Sequence, residues 1–157
     1  MNLRHALLVL TVIFSFSCTK ESPEKEYALV AHKVPGIENE LLDMVNQHRA
    51  SMGQKALSFS EVAYKYASSH TDYMIEKGTI SHDNFNNRAS LISREENAMA
   101  VSENLAKGYK TAKKALDGWL SSESHRKTVE GNYSHTAISV KRDAKGTLYF
   151  VQLFYLK

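Results

Sequence analysis

The spacing of the apolar residues changes towards the C-terminal end of the chain, and this change constrains the fold more than any other feature. Up to about residue 130 the apolar positions recur every three to four residues, as in amphipathic helices. From Ala137 the pattern alternates, passes a polar turn at 143–146 and continues as an apolar run over 147–155. These features predict a β-hairpin. Several helices followed by a small antiparallel sheet predict an α+β layered domain.

The predicted elements have recognisable ends. The first helix covers residues 37–53, and the second follows a capping box from Ser58 to Glu61 and stops at Gly78. A polar loop is predicted at residues 79–87 and a weak helix at 89–96. Thr111 caps a further helix over 111–120, and Ser122 caps a short helix over 123–130. The second hairpin strand is apolar on both faces, so we expect it to be covered on both sides.

Composition excludes several classes of protein. The chain has 157 residues and one cysteine, so neither an internal disulfide scaffold nor a cysteine-rich zinc module can form. Its 20 basic and 17 acidic side chains give a net charge of +3 without a run of like charges. This small excess does not indicate nucleic-acid binding. We expect a single domain that acts as a monomer and is large enough to fold without disulfides or a structural metal.

The N-terminus resembles an export and anchoring signal. Arg4 precedes a short apolar run that ends in small residues before Cys18, as in a signal peptide over residues 1–17. A small residue before a lone cysteine resembles the lipobox of bacterial lipoproteins, so we expect Cys18 to be lipidated and to attach the protein to a membrane. The alternative is a plain secretion signal that leaves a free thiol. Residues 18–36 are polar and contain both prolines, which predicts a tether ahead of a folded domain at 37–157.

Five short motifs occur in an order that resembles one known family. They are Asn46-Gln-His-Arg49, Ser81-His82, Glu103-Asn-Leu-Ala106, the segment from Trp119 to Arg126, and Phe150-Val-Gln-Leu-Phe154. Together they resemble the CAP superfamily, or SCP domain, of cysteine-rich secretory proteins, antigen 5 and pathogenesis-related proteins, in its cysteine-poor bacterial branch. The resemblance implies an α-β-α sandwich with a small antiparallel sheet between helical layers.

The resemblance also implies a cleft lined by two histidines and acidic residues, which in some members holds a divalent metal. By position His82, Glu103 and His125 are the expected cleft residues, with His82 and His125 as candidate ligands for zinc or another divalent cation. The position of the family's second acid is Ser122 here. Glu123 follows it, and one residue further along a helix points about 100° away.

Other candidate residues have plainer interpretations. Trp119 completes a helical apolar stripe and is expected in the core. His48 and His70 lie on helix faces, and His135 lies either beside the cleft or at the surface. Arg126 either pairs with a carboxylate or is solvated. Tyr149 and Tyr155 form either core or groove wall.

Two functional hypotheses remain open from the sequence. The first is an envelope-anchored CAP-domain protein that acts as a binding or scaffold module for a small ligand, a lipid or an envelope partner. The second is a metal-dependent hydrolase in which Glu103 is the candidate general base. Nucleophilic catalysis has no support, because Ser124 next to His125 in sequence is not a triad.

Overall fold

The computed structural model of the chain describes residues 32–157. The predicted signal sequence, Cys18 and the tether up to residue 31 lie outside the described residues. The helices of the described part are α1 (Pro35–Ser51), α2 (Glu61–Lys77), α3 (Phe85–Glu96), α4 (Ala112–Ser121) and α5 (Glu123–Val129). Its strands are β1 (His32–Lys33), β2 (Ser58–Phe59), β3 (Ala100–Lys107), β4 (His135–Arg142) and β5 (Leu148–Leu156).

The sheet is centred on the predicted hairpin. Its order is β1-β4-β5-β3, and β2 adds a short parallel pairing at the start of β4. β5 pairs antiparallel with both neighbours along its length, and its residues 148–155 are buried, as the apolar run predicted. β3 is paired on one side only, so its other side forms an edge of the sheet.

Helices cover both faces of this sheet. α1 and α4 pack on one face, around a core that includes Trp119, Phe150 and Phe154. α2 packs on the other face with α3 beside it, around a core that includes Tyr149 and Tyr155. The fold is therefore the α+β sandwich that the sequence predicted. Within residues 32–157, no helix is both long and apolar enough to cross a lipid bilayer.

Two predicted helix ends show the expected local chemistry, whereas Ser122 precedes α5 without a side-chain capping hydrogen bond. Gly78 ends α2 in the left-handed conformation with φ +66°, and the Thr111 hydroxyl accepts from the Lys114 amide at 3.2 Å. The predicted capping box is wrong by two residues. Ser58 belongs to β2, opposite His135, and its amide donates to the Ser134 carbonyl just before β4. The N-cap of α2 is Ser60, whose hydroxyl accepts from the Ala63 amide.

Three elements differ further from the sequence prediction. β3 was not predicted, because its edge position lets it carry polar residues that break a strand pattern. α3 begins at Phe85 rather than at residue 89. β1 and the first turn of α1 include residues 32–36, which had been assigned to the tether: Lys33 pairs with Lys141, and the Val34 amide donates to the Val140 carbonyl.

Candidate functional site

The candidate site lies on the unpaired edge of β3. Successive side chains of a strand point to opposite faces of the sheet. Leu105 packs in the core on the α2 and α3 side, and Ala106 packs in the core on the α1 and α4 side. By this alternation Glu103 faces α3 and Asn104 faces the layer of α5. The loop between α2 and α3 and helix α5 therefore meet this edge from opposite faces.

Glu103 is a buried carboxylate with every contact on its own face. Arg88 of α3 donates to it from Nε at 3.1 Å and from Nη2 at 3.0 and 2.8 Å. His82 Nδ1 lies 2.8 Å from Oε1 of the same carboxylate. The Glu103 side chain is 1% exposed and that of Arg88 is 8% exposed. Both carboxylate oxygens are thus occupied, and the charge of Glu103 is matched by an equally buried guanidinium.

The contact with Glu103 fixes the orientation of the His82 ring. An ionised carboxylate only accepts hydrogen bonds, so His82 Nδ1 must carry the proton in this contact. In the neutral ring the unprotonated nitrogen is then Nε2. The His82 side chain is 57% exposed, although its partner is buried. Glu103 therefore holds an imidazole at the surface with its Nε2 lone pair free for a ligand.

Three side chains hold the residues on both sides of His82, two through backbone carbonyls and one through the Asp83 side chain. The His70 Nε2 lies 2.7 Å from the Ser81 carbonyl oxygen and donates to it. The Tyr73 hydroxyl donates to Asp83 Oδ2 at 2.8 Å, and Arg88 Nη1 donates to the Asp83 carbonyl at 2.6 Å. Burial, followed by the nearby charge of Arg88, lowers the pKa of His70, which keeps this ring neutral at neutral pH. The loop is thus anchored to α2 and α3.

His125 approaches the same edge from the opposite face of the sheet. It lies on α5 and is half-buried, and its carbonyl accepts from the Asn104 side chain of β3 at 3.0 Å. Burial and then the charge of His82 lower the pKa of His125. Glu103 thus contacts His82 directly, whereas His125 is connected to the same strand through its carbonyl and Asn104.

Glu123, the residue after the position of the family's second acid, does not join this group. The Glu123 carboxylate lies 2.6 Å from Lys127 Nζ one helical turn away, and both side chains are 73% exposed. Ser122 contacts Ser124 through its hydroxyl. The acidic part of the site therefore consists of Glu103, with Arg88 as the partner that the sequence analysis did not identify. Arg88 is the fourth residue of the polar helix α3, and nothing in the sequence distinguishes it from a solvated arginine.

The donor set does not fit a catalytic divalent metal. Such sites hold zinc with three protein ligands and leave a fourth position for water. In the part of the chain that the structure describes, no group of three or more His, Cys, Asp or Glu side chains is placed to hold a metal ion. Both Glu103 oxygens are already bonded to Arg88 and His82. Among residues 32–157, no third side chain therefore joins the imidazoles of His82 and His125 as a metal ligand.

The other predicted residues lie outside the site. Trp119 is in the core, as predicted, and its Nε1 donates to the Leu105 carbonyl of β3 at 2.9 Å. Tyr149 and Tyr155 are core residues. His48 contacts Glu130 at 2.9 Å. His135 stacks on Tyr155 at the start of β4, separated from β3 by β5, and Arg126 is exposed.

Comparison with known proteins decides the family. The model of the cysteine-rich secretory protein family, CAP, matches residues 42–154. This chain belongs to the CAP family. The resemblance carried by the five motifs is thereby confirmed.

Relatives of this CAP chain occur in bacteria. It is 31% identical over 110 residues to the uncharacterized membrane protein YlbC of Bacillus subtilis (strain 168). That match covers 67% of this chain and 32% of YlbC, so the chain spans about a third of that relative.

Solved structures share the fold. An outer surface protein of Borrelia burgdorferi superposes with a TM-score of 0.73 at 19% identity, covering 82% of this chain and 99% of that one. An extracellular SCP-domain protein of Bacillus anthracis gives 0.68 at 24% identity, covering 78% and 41%. At these identities the likeness concerns the fold alone.

Proposed function

We propose that this CAP domain is a binding module of the cell envelope whose recognition surface is the β3 edge with His82 and His125. The observation that carries the proposal is the state of Glu103. A general base needs a lone pair that reaches the substrate or its water. Both oxygens of Glu103 are instead engaged by Arg88 and His82, and the side chain is 1% exposed. Its role in this proposal is to position an imidazole.

The surroundings of His82 favour a polar ligand over a lipid. A cavity of about 410 Å³ is lined by His82, Phe85 and three asparagines, Asn84, Asn86 and Asn87. Amide side chains both donate and accept hydrogen bonds, and His82 Nε2 adds an acceptor. Ligands with hydroxyl or amide groups match this lining better than an acyl chain does.

The envelope location is supported by the N-terminal sequence and by the relatives. A signal-like segment followed by Cys18 indicates export with a lipid anchor. The similar proteins described above are named as a membrane protein, an outer surface protein and an extracellular protein. We propose that Cys18 carries the anchor and that the tether presents the domain outside the cytoplasm. A Cys18→Ser chain that still partitions with membranes would contradict this.

A divalent-metal-dependent hydrolase is the alternative. It is favoured by one observation, since carboxylates often orient metal-binding histidines through the other ring nitrogen. Zinc titration by calorimetry on the wild type, His82→Ala and His125→Ala separates the two. The binding-module proposal predicts no zinc uptake that depends on both histidines. Stoichiometric uptake lost in both variants would favour the hydrolase.

A second experiment tests binding itself. Imidazole resonances of His82 and His125 are followed by NMR while an N-acetylglucosamine oligomer or phosphatidylcholine vesicles are added. The proposal predicts saturable shifts of both histidines with the polar oligomer, and loss of the His125 shift in His82→Ala. Shifts with vesicles alone, or with neither probe, would contradict it.

A further inference from the structure

A second pocket lies where β4 begins and β5 ends. Its volume is about 630 Å³, within the range of small-molecule sites. Its lining includes Arg49, Lys55, Tyr133, His135 and Lys157, and none of its lining residues belongs to the cavity at His82. The two cavities are therefore separate features of the fold.

Arg49 places a buried positive charge beside this pocket. The residue is 1% exposed, and its guanidinium donates only to backbone carbonyls, those of Lys55, Val129, Gly131 and Tyr133 at 2.7 to 3.3 Å. Across residues 32–157, no Asp or Glu side chain lies within ion-pair distance of it. A guanidinium has five N–H donors and stays charged, so carbonyls solvate this charge without neutralising it.

The rim adds charge and hydrogen-bond donors. Lys55 is exposed, and its ammonium has no hydrogen-bond partner among the residues that the structure describes. The Lys157 Nζ forms an ion pair with Glu96 Oε2 at 3.2 Å. The polar residues Gln54 and Asn132 also line the pocket, and no Asp or Glu side chain does. Positive charge is therefore concentrated here in a chain whose net charge is only +3.

We propose that this pocket binds a phosphate-bearing molecule, with Lys55 on the phosphate oxygens and the Arg49 charge behind them. Phosphate fits better than carboxylate because it offers more acceptor oxygens and more negative charge to several donors at once. The same chemistry occurs in a soluble phosphate ester and in a phospholipid headgroup.

The test uses the full chain and a matched pair of variants. Lys55→Gln removes one charge from the rim, whereas Lys114→Gln removes one from an exposed position on α4 outside the pocket. The soluble probe is sn-glycerol 3-phosphate, with acetate as the carboxylate comparison. The membrane probe is a phosphatidylcholine vesicle that contains phosphatidylglycerol. Affinities are measured at low and high salt.

We expect glycerol phosphate to bind more tightly than acetate, and Lys55→Gln to weaken it about tenfold, as for loss of one charged hydrogen bond. Lys114→Gln should leave the affinity unchanged. Binding confined to vesicles but still weakened by Lys55→Gln would identify a headgroup as the source. Equal effects of the two variants, no binding of either probe, or acetate binding as tightly would overturn the proposal.

Discussion

Replacing Arg88 by methionine tests the buried ion pair on which the candidate site is built. The substitution keeps the aliphatic stem and removes three contacts to Glu103 and one to the Asp83 carbonyl. The Arg88 and Glu103 side chains are 8% and 1% exposed, so solvent cannot replace the lost partner. Removing one member of a buried pair costs about 3–5 kcal/mol, against about 0–1 kcal/mol for a surface pair. Since the His82 Nδ1–H still donates to the carboxylate, we expect the low end of this range, about 3 kcal/mol.

The free energy of unfolding is measured by urea denaturation, with Trp119 fluorescence and circular dichroism as probes. Lys113→Met is the control, because it breaks an exposed pair with Asp117 and should cost less than about 1 kcal/mol. The double variant Arg88→Met/Glu103→Leu should recover most of the loss, since an apolar pair leaves no unpaired charge. A cost for Arg88→Met as small as that of the control would refute the reasoning.

Three further outcomes are expected. Burial lowers the pKa of His70 below its ordinary value of about 6.5, so on acidification the unfolded chain binds this proton before the folded chain does. The free energy of unfolding should therefore fall as the pH drops below about 6.5. Its dependence on pH should be shallower in His70→Asn, and an unchanged slope would contradict this. Ser60→Ala should cost about 1 kcal/mol in urea denaturation, as an N-cap does, while Ser58→Ala should cost less. Gly131→Ala would place a Cβ 2.5 Å from the Tyr133 ring, so a crystal structure should show that ring displaced, and an unmoved ring would be inconsistent with the packing.

Periodicity predicted the fold better than it predicted the site. The hairpin and the helix faces are repeated patterns, and burial on both sides of β5 follows from its apolar run. Periodicity did not predict β3, because an edge strand can carry Glu103 and Asn104 without losing its pairing to β5. The polar segment was identified as a motif but not as a strand.

The site residues came from motifs, and their contacts came only from the structure. Nothing local in the sequence pairs Arg88 with Glu103, because the contact joins a helix to a strand 15 residues away. The same holds for His70, whose bond to the Ser81 carbonyl depends on how the loop folds back on α2. These long-range contacts underlie the proposal that Glu103 positions His82 rather than acting as a base.

The protonation of His82 tests that central claim most directly. Long-range proton–nitrogen NMR on the histidine rings reports which nitrogen carries the proton at neutral pH. The account predicts a His82 ring protonated at Nδ1 with Nε2 free, and loss of this preference in Glu103→Ala. A His82 ring that is protonated at Nε2, or that averages between both forms in the wild type, would contradict it.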